Sequence, residues 1–334
     1  MNPAGNDFWR GRRVLVTGAT GMVGFWLVQD LLAAGAQVIA LVREPDPQAV
    51  VYRAGGGRTV SLVPGNIEDY SHFERTLAAQ QPDTVFHLAA QSLVGVAQHS
   101  PLPTLETNIR GTYNLLEACR VHSEKVKRLV IASSDKAYGP TEQLPCTEAM
   151  PLQGRHPYEV SKSCADLIAQ AYHQTYGLPV AILRCGNVFG GGAPDWSRLV
   201  PYTIRCFLNR QRPILRSDGQ AVRDYIYVKD VSCCYRMLAE RLADPGIPGQ
   251  AFNCSLGRPV TVLELIKTIQ RLMNCQGLEP DVQNTAAGEI RAQYLSVAKA
   301  QRLLNWRPQF TLEQGLAETI AWYREHLAAH PAGP

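Results

Sequence analysis

The first half of the chain alternates short apolar runs with segments whose apolar residues recur every three or four positions. The apolar runs predict buried strands, and the periodic segments predict amphipathic helices. Strands are predicted over Arg13–Thr17, Gln37–Val42, Val60–Val63, Asp83–Ala89, Arg128–Ser133 and Pro179–Arg184. Helices are predicted over Val23–Ala34, Thr107–Val121 and Pro157–Tyr176. Because strands that alternate with helices form parallel sheets covered on both faces, this pattern predicts a doubly wound α/β fold.

The regular alternation ends after Arg184, where a glycine-rich loop begins with three consecutive glycines, Gly190–Gly192. Shorter predicted elements follow this loop. We therefore predict a dinucleotide-binding domain over residues 1–185 and a smaller substrate-binding lobe over residues 186–334. Some segments of the lobe are expected to return to the sheet of the first domain.

The turn between the first strand and the first helix reads TGATGMVG and contains three glycines spaced three residues apart. Glycine lets the backbone approach a pyrophosphate, and the helix N-terminus offers unpaired N–H donors. The turn therefore predicts a Rossmann-type dinucleotide site, although a tight turn without a ligand is the alternative. The expected contacts come from Thr17, Gly18, Thr20, Gly21, Met22, Val23 and Gly24.

The far end of this site lacks the acidic residue that usually follows the second strand and binds the adenosine ribose. Val42 and Arg43 stand there instead. Arg43 could stack on adenine, meet a 2′-phosphate or be an exposed loop residue. We therefore expect NAD as the cofactor and leave NADP open. Five further cofactor contacts are expected, from Asn66, Ile67, Leu88, Ala89 and Ala90.

A Tyr-x-x-x-Lys pair, Tyr158 and Lys162, begins the last long helix of the first domain. One helical turn separates the two residues, so their side chains point the same way. A nearby ammonium lowers a tyrosine pKa, so we expect Lys162 to make the phenol a usable base. A Tyr-x-x-x-Lys spacing is common by chance and is weak evidence alone. It supports a catalytic site here because the helix that carries it follows a strand that ends in serine.

That strand end continues as Ser134, Asp135 and Lys136, at the edge of the sheet where α/β enzymes place their chemistry. Ser134 could hydrogen-bond both a substrate hydroxyl and the tyrosine. Adjacent residues on a strand point in opposite directions, so Asp135 and Lys136 reach one site only if the chain bends there. The alternative is that Asp135 and Lys136 lie in a surface loop, where their opposite charges neutralise each other.

Charge and cysteine content narrow the class of protein. The net charge is +4, and the basic residues are scattered, so nucleic-acid binding is not expected, whereas a small anionic substrate is. Nine cysteines without metal-ligand spacing suggest reduced thiols in the cytoplasm and no metal site. No apolar run reaches the roughly 18 residues of a membrane span, so we expect a cytoplasmic protein without membrane contact.

Several motifs together resemble the extended short-chain dehydrogenase/reductase family of nucleotide-sugar enzymes. They are TGATGMVG, HLAAQ, TNIRGTYNLLEA, SSDKAYG, the Tyr-x-x-x-Lys pair and RCGNVFG, and the resemblance runs over almost the whole chain. It implies a catalytic set of Ser134, Tyr158 and Lys162. It also implies substrate contacts from Gln91, Asn108, Asn187, Arg223 and Arg291. Two arginines suit a diphosphate because their planar donors pair with its oxygens.

The resemblance implies a 4,6-dehydratase that acts on a nucleotide-diphosphate hexose, most closely of the CDP-glucose type. Tyr158 would take the proton of the 4-hydroxyl, and Asp135 would be the acid that helps water leave from C6. Lys136 would be the base at C5 only with a strongly depressed pKa, and otherwise would position water or the 6-hydroxyl.

Three alternatives stay open. A 4-epimerase acting on a UDP-glucose or UDP-glucuronate type of substrate would share Ser134, Tyr158 and Lys162. The second alternative is a reductase or decarboxylase of the same family. The third is a catalytically idle dinucleotide-binding regulator. The resemblance also implies a homodimer that packs the helices Thr107–Val121 and Pro157–Tyr176 of two subunits together.

Overall fold

The computed structural model describes residues 7–44, 60–285 and 290–329. The strands in the first part of the chain are β1 (Arg13–Thr17), β2 (Gln37–Val42), β3 (Ser61–Pro64), β4 (Thr84–His87), β5 (Arg128–Ser134), β6 (Val180–Cys185) and β7 (Asn187–Phe189). The later strands are β8 (Ile214–Leu215), β9 (Val222–Tyr227), β10 (Ala251–Cys254), β11 (Pro259–Thr261), β12 (Asp281–Val282) and β13 (Ala292–Gln293).

The helices of the first part are α1 (Met22–Ala33), α2 (Tyr70–Gln80), α3 (Val94–His99), α4 (Pro101–Leu105), α5 (Gly111–Val121) and α6 (Pro157–Tyr176). The later helices are α7 (Leu199–Leu208), α8 (Val228–Glu240), α9 (Val262–Leu272), α10 (Ala298–Leu304) and α11 (Leu312–Ala329). Over the described ranges, no helix combines the length and the apolar character that a membrane crossing requires.

Seven parallel strands form the main sheet, in the order β10-β6-β5-β4-β1-β2-β3. The chain starts at the centre with β1 and winds outward in both directions, as in a Rossmann-type fold, which confirms the predicted fold class. Strand β10 lies far beyond residue 185 in sequence, yet it pairs with β6 and completes one edge of the sheet.

Apolar side chains cover both faces of this sheet. In β1, Val14 and Val16 belong to one core cluster and Leu15 belongs to the other, because successive strand residues point to opposite faces. Helices α1 and α8 pack on the first face, while α2 and α5 pack on the second. A strand buried on both faces reads as a continuous apolar run, which explains why these strands were predictable.

The smaller lobe is built around β9, which pairs in parallel with β7 and β13 and antiparallel with β11. Its core contains side chains from α7, α9 and α11, including Phe207, Ile266 and Leu316. The lobe lies against the carboxyl end of the main sheet through β7, which follows β6 after only one residue. This placement leaves a cleft between the lobe and the sheet edge.

Helix α6 occupies the residues predicted for it, and its ends carry the expected signals. Glu159 accepts hydrogen bonds from the backbone N–H groups of Arg155 and His156, Pro157 begins the helix, and Gly177 ends it with a positive φ. The predicted helix Thr107–Val121 differs in the structure. A π-helical turn at Glu106–Arg110 joins α4 to α5, so the helical path starts earlier and is interrupted.

A buried ion pair fixes α6 to the sheet. Arg184 in β6 donates to both oxygens of Asp166 in α6, at 2.8 Å from Nε and 3.0 Å from Nη2. Arg184 also donates to the hydroxyl of Tyr138, which in turn donates to Asn253 in β10. Both charged side chains are essentially inaccessible to solvent. This network therefore ties the helix that carries Tyr158 to two neighbouring strands.

Candidate functional site

A cleft of about 820 Å³ lies at the carboxyl ends of the parallel strands, between the sheet and the lobe. Its walls come from the loops after β1, β2, β3, β4, β5 and β6 and from the N-terminal part of α6. Open α/β sheets bind ligands at this edge.

The glycine turn forms one end of the cleft, and close packing makes its glycines necessary. A side chain at Gly18, which has a φ of +70°, would place its Cβ 2.7 Å from the backbone N of Ala89. A Cβ at Gly24 would lie 2.1 Å from the carbonyl oxygen of Gly18. Helix α1 begins at Met22, its N-cap residue Gly21 supplies no side-chain cap, and its first residues face the cleft. These features fit the pyrophosphate of a dinucleotide.

Most of the predicted cofactor residues lie on the cleft wall. These are Gly18, Thr20, Gly21, Met22, Val23, Gly24, Arg43, Asn66, Ile67, Leu88, Ala89, Ala90, Tyr158 and Lys162. Thr17 is different, because its side chain is fully buried and accepts hydrogen bonds from the backbone N–H groups of Leu88 and Ala89. Thr17 therefore joins the ends of β1 and β4 beneath the cleft and does not line it.

The structure brings Ser134, Tyr158 and Lys162 together at the middle of the cleft. Burial raises the pKa of Tyr158 to about 12, and a hydrogen bond with Ser134 opposes this shift. Lys162 donates to the carbonyl oxygen of Ala132 at 3.0 Å, and burial lowers its own pKa to about 8. We expected Lys162 to lower the pKa of Tyr158. This expectation is wrong for the protein without bound ligands, because the loss of water around the phenolate has the largest effect on this pKa.

Arg198 supplies the positive charge that acts on the phenol, and the sequence did not single it out. It lines the cleft, and its charge lowers the pKa of Tyr158 against the effect of burial. Arg198 pairs with Asp195 at 3.1 Å and donates to the hydroxyl of Ser92 at 2.8 Å. The only sequence signal was its place just after the glycine-rich loop.

The chain bends sharply after β5, as a shared site for Asp135 and Lys136 requires. Ser134 caps a short 3-10 turn, Asp135–Tyr138, by accepting a hydrogen bond from the backbone N–H of Lys136. Both side chains consequently line the cleft. Lys136 Nζ lies 2.9 Å from Asp135 Oδ2, and Asp135 is buried. The pair is therefore an ion pair inside the cleft and not a surface loop.

Among the predicted substrate residues, only Asn187 lies on the cleft wall. Asn108, in the π-helical turn, is buried and bonds to both the N–H and the carbonyl of Gln91 and to the hydroxyl of Ser161 in α6. Gln91 accepts a hydrogen bond from the backbone of Leu93. Asn108 thus fixes the loop after β4 to the catalytic helix, a role that only the tertiary contacts reveal.

Arg223 lies in β9 and Arg291 directly precedes the neighbouring strand β13, and neither belongs to the wall of the described cleft. The backbone N–H of Val222 donates to the carbonyl of Arg291 at 2.9 Å, which places both arginines at one strand pair. Arg291 is exposed, and Arg223 is half-buried and bonds only to a backbone carbonyl. Their assignment to a diphosphate stays a prediction.

Asp224, the neighbour of Arg223 in β9, is a buried carboxyl with one oxygen that lacks a hydrogen-bond partner among the described residues. Burial raises its pKa to about 6, partly opposed by bonds from Ser255 and the backbone of Leu295. An acid whose folded pKa is raised costs nothing below its unfolded pKa near 4, and its penalty grows as pH rises from the unfolded to the folded pKa and stays constant above it.

We therefore expect Asp224→Asn to stabilise the protein near neutral pH. The free energy of unfolding should rise by up to about 3 kcal/mol at about pH 8, and the gain should shrink toward zero at about pH 3. Urea denaturation of both proteins at the two pH values measures this difference. An equal effect at both pH values would show that the carboxyl charge is not the cause.

Comparison with known proteins agrees with the geometry of this cleft. Residues 14–255 match the sequence model of the NAD dependent epimerase/dehydratase family. The chain is 31% identical over 338 residues to CDP-glucose 4,6-dehydratase of Salmonella typhimurium, covering 95% of this chain and 92% of that protein.

Two solved structures share the whole fold. DesIV, a dTDP-glucose 4,6-dehydratase of Streptomyces venezuelae solved with NAD bound, has a TM-score of 0.84 and 30% identity, covering 95% of this chain and 98% of that chain. UDP-glucose 4-epimerase of Thermotoga maritima, solved with UDP-glucose, has a TM-score of 0.84 and 29% identity, covering 94% and 99%. The glycine turn, the parallel sheet and the family match together establish that the chain belongs to the NAD dependent epimerase/dehydratase family.

Proposed function

We propose that this protein is a nucleotide-sugar 4,6-dehydratase that converts a nucleotide-diphosphate hexose to its 4-keto-6-deoxy derivative and water. The observation that carries the proposal is the Asp135–Lys136 ion pair, which lies in the cleft beside Ser134 and Tyr158. Removal of water from C5 and C6 needs such polar groups next to the tyrosine, whereas inversion at C4 does not. The similarity to CDP-glucose 4,6-dehydratase favours a CDP-hexose.

NAD is the cofactor we propose for the end of the cleft at the glycine turn. The N-terminus of α1 and the close approach of Gly18 to Ala89 fit its pyrophosphate. Arg43 lines the far end of the cleft, so NADP stays an alternative. When bound, the dinucleotide would supply a hydride acceptor for oxidation at C4 and a hydride donor for C6, so that the cofactor would be regenerated in each turnover.

Tyr158 acts first in this scheme, by taking the proton of the 4-hydroxyl. Burial opposes its ionisation, and the positive charge of Arg198 and the hydrogen bond with Ser134 favour it. Lys162 adds a further donor at the same place, since its ammonium lies within the cleft wall and is held by the carbonyl of Ala132. The 4-keto group that forms makes the C5 proton acidic.

The Asp135–Lys136 pair serves the second step, in which the C5–H bond loses its proton and the C6–O bond breaks. The pair takes up the C5 proton as the C5–C6 double bond forms, and it gives a proton to the leaving hydroxyl, which departs as water. When hydride is added at C6, the pair gives a proton back to C5, and the proton that Tyr158 took from the 4-hydroxyl replaces the one lost with water. Lys136 Nζ donates to two acceptors, Asp135 and Gln293, and these contacts hold the side chain in one position. Two roles were considered for Lys136, namely base at C5 and positioning of the 6-hydroxyl or water. The contacts favour the positioning role.

A 4-epimerase of the UDP-glucose or UDP-glucuronate type is the second candidate, since a structure of that class shares the fold at 29% identity. Asp135→Asn should lower formation of a 4-keto-6-deoxy product by about 10²-fold or more, because the acid/base pair loses its carboxyl group. Product analysis from CDP-, dTDP-, UDP- and GDP-hexoses measures this effect. Retained 4-epimerase activity in the variant, with no dehydrated product from the wild type, would favour the epimerase.

A homodimer in the cytoplasm completes the proposal. Helices α5 and α6 carry apolar side chains that are largely exposed, namely Tyr113, Val121, Leu167 and Tyr176. Packing these faces against those of a second copy would bury them and form a four-helix bundle, and α6 also carries Tyr158. All nine cysteines are free, which suits a reducing compartment. A monomeric mass in light scattering at micromolar concentration would contradict the dimer.

A further inference from the structure

Gln293, in strand β13 of the lobe, reaches across to the acid/base pair at the end of β5. Its Oε1 accepts a hydrogen bond from Lys136 Nζ at 2.6 Å, and its Nε2 donates to the carbonyl oxygen of Asp135 at 2.8 Å. The side chain is 1% exposed. Both ends of its amide are therefore committed to two consecutive residues that lie more than 150 positions away in the chain.

These contacts remove the freedom of the Lys136 side chain. A lysine ammonium sits on a flexible four-carbon stem and loses considerable rotamer entropy when it is fixed. Here it is fixed between two acceptors, Asp135 Oδ2 at 2.9 Å and Gln293 Oε1 at 2.6 Å. The second bond of the amide, to the Asp135 carbonyl, holds the turn that carries both charged residues.

Strand β13 also connects this amide to the part of the lobe that carries the two arginines. Gln293 is the register partner of Arg223 in β9, and Arg291 precedes it by two residues. A ligand that binds at this strand pair would therefore act on the strand that positions Lys136. The acid/base pair belongs to the first domain, but its geometry depends on the lobe.

We propose that Gln293 is a positioning residue for the elimination step, and that it holds the Lys136 ammonium and the Asp135 carboxylate in the arrangement that protonates the leaving hydroxyl. This inference rests on the proposed 4,6-dehydratase function. Oxidation at C4 uses Tyr158 and needs no contact with Gln293. Loss of the amide thus affects the loss of water and leaves the preceding oxidation intact.

Gln293→Met tests the proposal, since methionine fills a similar volume without polar groups. We expect formation of the 4-keto-6-deoxy product to slow by about 10- to 100-fold, mainly through kcat, with KM nearly unchanged. In single turnovers, the reduced nicotinamide should accumulate because oxidation outpaces elimination. Lys136 should also react faster with an amine-acetylating reagent, followed by mass spectrometry, because one of its two acceptors is gone.

Two further variants separate positioning from stability. Gln270→Met is the matched control, since Gln270 is also buried but bonds only to Gln276 and Glu279 within the lobe. It should leave elimination and acetylation of Lys136 unchanged. Gln293→Glu keeps an acceptor for Lys136 and should recover part of the elimination rate with an altered pH profile.

Three results would overturn the inference. The first is a Gln293→Met protein that eliminates water at the wild-type rate. The second is an equal loss of oxidation and elimination, without accumulation of reduced cofactor. The third is a Gln293→Glu protein as slow as Gln293→Met although both unfold at the wild-type temperature. Failure of the dehydratase proposal is recognised separately, because the wild-type protein would then yield no 4-keto-6-deoxy product from any of the four nucleotide hexoses.

Discussion

Replacing Tyr158 with phenylalanine is expected to lower turnover of the nucleotide hexose by about 10²- to 10⁴-fold. The change removes only the phenol oxygen that takes the proton of the 4-hydroxyl, and the ring continues to fill its place. Tyr158 is 8% exposed, and its hydroxyl bonds with Ser134 inside the cleft. Binding of the nucleotide should change little.

Steady-state kinetics, nucleotide titration and thermal unfolding together measure this effect. Tyr176→Phe is the matched control, because Tyr176 lies at the other end of the same helix and is 58% exposed. It should retain full activity. If Tyr158→Phe kept more than about a tenth of the wild-type rate, a value far outside the expected range for a lost general base, the proposed role of the phenol would be wrong.

Arg184→Met is expected to lower the free energy of unfolding by about 3–5 kcal/mol. The substitution leaves the Asp166 carboxylate buried at 0% exposure, with only the amide of Gln170 as a remaining side-chain partner. It also removes a donor from the hydroxyl of Tyr138. Because α6 carries Tyr158 and Lys162, activity should be lost at lower temperature as well.

Guanidinium denaturation of three proteins checks this prediction. Arg258→Met, which breaks the exposed pair with Glu313 at 3.3 Å, should change stability by less than about 1 kcal/mol. The double substitution Arg184→Met with Asp166→Leu should regain much of the loss, since it leaves no uncompensated charge. A stability of Arg184→Met within 1 kcal/mol of the wild type would show that water reaches Asp166 and that the pair is not truly buried.

The sequence located six of the seven strands of the main sheet to within two residues, for a physical reason, but it predicted no strand at β10. Parallel strands covered on both faces must be apolar at every position, and such runs stand out between glycine and proline. Helix α2 gave no comparable signal. Only Phe73, Thr76 and Leu77 of that helix are buried, so its apolar stripe is narrow. The lobe was equally hard to predict, because several of its strands span two or three residues.

The six strands predicted in the first half of the chain, the glycine turn and the spacing of Tyr158 and Lys162 are local properties, so the sequence alone determined them. Gln293 contacts the acid/base pair, and Arg198 supplies the charge that acts on the phenol. Both residues are distant in sequence from the groups they affect, so only the tertiary structure decided these contacts. The pKa of Tyr158 shows the reason, because it depends on how completely the fold removes water from the phenol. No spacing of residues along the chain records that quantity.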